Sequence, residues 1–121
     1  MKNILLLIAF AITTNLSFGQ NISDVSQSGI NLTVRDEKGN WISQKAIGSN
    51  DELCGFSSTI IVIRSGINLT VYDQKFNWIS QKAIGSGDRV KNVSGNNIII
   101  KSGINVITYD KKFNWISQRT E

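Results

Sequence analysis

Two kinds of hydrophobic spacing recur along this chain, and neither has the period of a helix. From Ile67 to Tyr72, apolar Ile67, Leu69 and Val71 alternate with Asn68, Thr70 and Tyr72, the period of two that marks a β-strand with one face inward. At Ile98-Ile99-Ile100 the β-branched residues run without interruption, which predicts a strand covered on both faces. Between such runs lie turn signals. Asp73-Gln74-Lys75-Phe76 reads as a turn, because an Asp side chain bonds backbone amides ahead of it. Asn77 to Ile84 is the next strand, and Gly85-Ser86-Gly87-Asp88 breaks it. Arg89 to Val93 is a third, short strand, and Ser94-Gly95-Asn96-Asn97 turns the chain into Ile98–Lys101.

This succession repeats. Ser28-Gly29-Ile30-Asn31 returns at Ser65 and at Ser102, 37 residues apart each time, and Trp41, Trp78 and Trp115 keep the same step inside Asn-Trp-Ile-Ser-Gln. Residues 28–48 match residues 65–85 at 18 of 21 positions. The repeats are therefore 28–64, 65–101 and a partial 102–121, and internal repetition outranks every other signal when fold is argued from sequence. In the first copy Gly39 stands where the second has Phe76, which suits a hairpin needing a positive φ there.

Read from Arg89, one unit runs short strand, buried strand, alternating strand, Trp strand. That is a four-stranded antiparallel meander, and with its Val-Tyr-Asp turn it resembles the short-blade β-propeller repeat proteins, small lectin-like propellers being the nearest analogue. The resemblance implies an all-β fold of propeller-like blades: a first blade over Gln20–Gly48 without its innermost strand, a second over Asp51–Gly85 and a third over Asp88–Glu121. Propellers typically close with four or more blades, so the resemblance implies a homo-oligomer, with a dimer closing a six-bladed ring. The alternative is a β-trefoil, which also uses three four-stranded repeats; against it, the chain is short of three full units and lacks the trefoil lectins' Gln-x-Trp signature. A half-repeat at the end also fits a truncated propeller fragment.

The first residues change the picture of where the protein acts. Lys2, the apolar run Ile4 to Ile12 and the small residues Ser17 and Gly19 form the pattern of a signal peptide over 1–19. The run is too short to span a bilayer, so the expected product is a single β-repeat domain over 20–121, secreted or periplasmic, without a membrane span. The charge balance, +4 overall, is spread through the repeats rather than gathered in the stripe that nucleic acid requires, so no nucleic-acid partner is expected. There is no His. That removes the commonest acid/base, the Ser-His and Cys-His pairs and most zinc sites, and no enzyme, cofactor or metal is expected. Cys54, the one cysteine, aligns with Lys91 and is either exposed for pairing with another chain or a half-buried small residue.

The candidate ligand-binding residues are those of the repeated Trp segment: Trp41, Trp78 and Trp115, with Asn40, Asn77 and Asn114, and Gln44, Gln81 and Gln118. An indole face can stack on a sugar ring while neighbouring amides bond its hydroxyls, and three copies would add avidity. The same Trp residues could instead fill the space between adjacent sheets, as large aromatics often do. Strict alternation sets Trp78, Ser80 and Lys82 on one face and Asn77, Ile79 and Gln81 on the other. Asp36, Asp73 and Asp110 also repeat, but each is too isolated for calcium, which takes six to eight oxygens, and a turn role fits them. Tyr72 and Tyr109, at the position of Arg35, line a groove or cover a neighbouring sheet. The expected function is thus a secreted, non-catalytic binding module for glycans, or else a structural or protein-interaction repeat protein of the envelope or matrix.

Overall fold

Each apolar alternation becomes a strand, and each strand pairs with its neighbour in the chain. The computed structural model describes residues 21–121, so the leader expected at 1–19 lies outside the described residues. The strands are β1 (Asp24–Ser28), β2 (Asn31–Arg35), β3 (Trp41–Ala46), β4 (Asp51–Phe56), β5 (Ile61–Ser65), β6 (Asn68–Tyr72), β7 (Trp78–Ala83), β8 (Arg89–Ser94), β9 (Asn97–Ser102), β10 (Asn105–Asp110) and β11 (Trp115–Thr120). They form three antiparallel meanders, β1-β2-β3, β4-β5-β6-β7 and β8-β9-β10-β11. Among the described residues there is no helix, and none therefore that could cross a membrane. Among the described residues the three sheets do not close on one another, and they form a stack of antiparallel sheets.

Two turn types set the registers. Ser65 pairs with Asn68 across a two-residue turn, and Gly66 alone of the two central residues has a positive φ, 65°. That is the type II′ pattern, whose twist matches that of the flanking strands. It also shifts the expected phase. Ile67, read from alternation as the first inward residue, is the second turn residue and is exposed, as are Ile30 and Ile104. The longer turn is organised by Asp73, whose Oδ1 accepts from the amides of Lys75 and Asn77 at 2.8 and 2.9 Å. Phe76 then takes φ 60° and Phe113 φ 62°, at the position Gly39 fills with φ 81°. An L-residue in that region costs about 1–2 kcal/mol; each Phe ring meets the edge of a Tyr, Tyr72 at 5.8 Å and Tyr109 at 5.9 Å, a contact worth about 0.5–1.5 kcal/mol beyond the area buried.

The second sheet lies between the other two and is covered on both sides. Ile61 and Ile63 pack with Val25, Leu32, Val34 and Ile47 of the first sheet. Val62, Leu69, Val71 and Ile84 pack with Val93, Ile98 and Ile100 of the third. The double burial expected of an unbroken β-branched run is therefore complete in Ile61-Val62-Ile63, while in the third sheet Ile99 is half-buried. Burying one such side chain fully stabilises by about 1.5–3 kcal/mol, so these two interfaces hold the stack together. The leading strands β4 and β8 approach most closely of any strands in different sheets. A Cβ on Gly55 of β4 would come within 2.9 Å of Val93 of β8, which explains a glycine inside a strand. At one end of these strands Ser57 and Thr59 donate to Gly95 O. Near the other end, Arg64 donates to Asp88 O at 2.6 Å and Gly85 O at 3.2 Å.

Candidate functional site: the tryptophan rim

The Trp side chains do not fill the space between sheets. Trp41, Trp78 and Trp115 begin β3, β7 and β11, the last strands of their sheets, and are 57, 61 and 61 % exposed. Small apolar residues already fill the interfaces, and the indoles are left along one rim of the stack. Their placement follows from a bulge: Val71 pairs with Ser80, but Tyr72 pairs with Trp78, leaving Ile79 as the extra residue. The same irregularity sits at Trp41 and Trp115.

That bulge corrects the strict alternation expected along the strand. Ile79 packs with the core shared with the third sheet, the side to which Ser80 also turns, its hydroxyl donating to Lys111 O. Ser43 does the same to Gln74 O at 2.6 Å. Trp78 and Gln81 have as cross-strand partners Tyr72 and Thr70, which sit opposite Ile61 and Ile63 on the face towards the first sheet. Ile79, expected on the face of Gln81, is therefore on that of Ser80. An extra residue in one strand re-aims everything beyond it.

The other candidates divide by what their polar groups already do. Asn77 and Asn114 donate their side-chain amides to Asp73 and Asp110 Oδ2, both at 3.1 Å, so they build the turn that presents the indole. At the first turn the Asn40 backbone amide donates to Asp36 Oδ1 at 2.9 Å. Gln44, Gln81 and Gln118 are exposed. Lys38, Lys75 and Lys112, three residues before each Trp, are exposed as well. The acidic residues of the turns are engaged: the Asn114 backbone amide, first among its partners, holds the Asp110 carboxyl below its ordinary value. Among the described residues no three metal-ligating side chains gather.

One contact escaped the reading of the sequence, and at the tyrosines and Cys54 one of the two alternatives it left open is the one observed. Lys45 of the first sheet lies over the Tyr72 ring at 5.3 Å, and Lys82 of the second lies over Tyr109 at 5.2 Å. The tyrosines therefore cover a neighbouring sheet, each beneath a cation, and the 37-residue coincidence of Lys and Tyr was the available signal. Cys54 is half-buried at a bulge in β4, and burial pushes its thiol up to about 11. A thiol held so far above neutrality is a poor nucleophile. It lines a shallow polar depression with Glu52, Leu53, Arg64, Arg89 and Val90, in which the Arg64 guanidinium is already committed to backbone carbonyls. No protein-family model matches this chain, and no curated protein is detectably similar to it.

Proposed function

We propose that the protein is a secreted, non-catalytic binding module that presents Trp41, Trp78 and Trp115 to a glycan. The observation that carries this reading is the exposure of all three indoles at one equivalent position in successive sheets. A large aromatic left in water at a repeated place costs solubility unless it meets a partner. Stacked sheets lie about 10 Å apart, so the rim offers a periodic ladder to an extended polymer. Each rung is weak alone and strengthened by its neighbours. The exposed Lys three residues before each Trp favours sugars bearing carboxylates over neutral ones. Gln44, Gln81 and Gln118 supply amides beside the indoles. The leader motif at 1–19 supports delivery to the periplasm or beyond.

The test is titration of the protein's Trp fluorescence with oligogalacturonate and with cello-oligosaccharides, against Trp41→Ala, Trp78→Ala and Trp115→Ala. Binding should saturate, each substitution should weaken it several-fold, and the triple substitution should abolish it. Fluorescence indifferent to both sugars, with no hit on a glycan array, contradicts the reading.

A second reading has its own support. β3, β7 and β11 each leave one backbone edge unpaired, and β11 is exposed along its whole length. Such an edge can take up a strand from another protein. That would make the module a structural or protein-interaction element, and its binding would survive loss of the indoles. Pairing of two copies into a ring would need apolar outward faces on the first and third sheets. The glycan reading needs no second copy, since three rungs lie on one chain.

A further inference from the structure

Position-by-position comparison of the sheets, at the 37-residue step, separates faces that meet a sheet from faces that meet solvent. Towards the first sheet, the second turns Ile61, Ile63, Tyr72 and Phe76. Towards the second, the third turns Ile98, Ile100, Tyr109 and Phe113. In the first sheet the same four positions hold Asp24, Ser26, Arg35 and Gly39, and all four are exposed. Each of these four groups has been exchanged for a polar or absent one.

The opposite end changes in the same sense at four of seven positions. The face by which the second sheet meets the third uses Ile60, Val71, Ile84 and Cys54, together with Val62, Leu69 and Ile79; the third sheet has Asn97, Thr108, Glu121 and Lys91 in place of the first four and keeps Ile99, Val106 and Ile116 in place of the other three. Glu121 pairs with both Lys91 and Lys101, laying an ion network where Ile84 makes a core. Val106, whose cross-strand neighbours are Lys101 and Arg119, is buried without a further sheet.

The charges on the two ends also oppose docking. At both internal junctions a Lys of the preceding sheet lies over a Tyr of the next. If the third sheet of one copy met the first sheet of another in that geometry, Arg119 would lie over Arg35. A favourable cation–π pair would become two like charges at close range, which is repulsive. We infer that the first and third sheets are end caps, and that this stack neither closes into a ring with a second copy nor adds further sheets of its own repeat through those faces. Terminal units with polar outer faces are what repeat stacks need to stay dispersed.

The inference rests on the sheet faces and is independent of what the tryptophans bind. Its test is the solution mass of the purified protein by light scattering across a wide concentration range, beside an uncapped variant, Asp24→Ile/Ser26→Ile/Arg35→Tyr/Gly39→Phe. The unaltered protein should keep the mass of one chain, and the variant should at least double its mass as concentration rises. If the unaltered protein associates, Ser26→Arg decides the route: loss of association overturns the inference, and unchanged association runs through other surfaces and supports it. An uncapped variant that stays as dispersed as the parent also overturns it. Should that variant fail to fold by circular dichroism, Arg35→Tyr with Gly39→Phe gives the same readout.

Discussion

A single position, 39/76/113, shows how one backbone serves different surroundings. The turn demands a positive φ at all three. Phe76 and Phe113 accept that strain because each ring has a Tyr and a neighbouring core to pack on. Gly39 has no atom within 4 Å of where its Cβ would stand, so a ring there would bear the strain with nothing to offset it. Gly39→Phe alone is therefore expected to lower unfolding stability by about 1–2 kcal/mol, read as a shift of the urea midpoint at constant m-value. No change, or a gain, would mean that another surface receives the ring. The same scale explains what composition could not reveal about Trp. Indoles usually serve cores, but here Leu69, Val71 and their equivalents already occupy the interfaces.

Among the elements, strand existence and order were legible, because alternation, turn residues and the 37-residue step all agree. The three-stranded first sheet and the two four-stranded ones stand where the repeats place them. What stayed hidden was phase. The two-residue turn moves Ile67 out of its strand, and the bulge beside each Trp moves Ile79 to the side of Ser80. Neither depends on hydrophobic period; both depend on local turn and bulge geometry. Pairing at the end of β11 has a pH signature. Lys101 first, then Lys91, hold the Glu121 carboxyl down at about 2 from an ordinary 4.5. A carboxyl lowered by folding stabilises the folded form above its unfolded value. That contribution is complete above 4.5 and is lost as pH falls towards 2, while both lysines stay charged. Stability measured across this window should fall less steeply in Glu121→Gln than in the parent; identical slopes would mean the ion network contributes nothing in solution.

For the whole molecule, the decisive arrangement is that the second sheet is covered twice and the outer two once. Its legibility was partial. Burial on both faces was expected at Ile98-Ile99-Ile100 and is complete instead at the equivalent Ile61-Val62-Ile63, while the polar Asp24, Ser26 and Arg35 at equivalent positions were visible in the same alignment. Their meaning emerged only when each residue could be assigned to a face. The arrangement predicts a gradient of local stability, since amides open least where burial is deepest. Native-state hydrogen exchange, resolved by residue, tests it most directly. Amides of β5 and β6 should exchange slowest, at rates set by global unfolding, and those of β11 fastest among the strands. Protection in β11 equal to that in β5, or no protected amides in β5 and β6, would contradict the three-sheet stack.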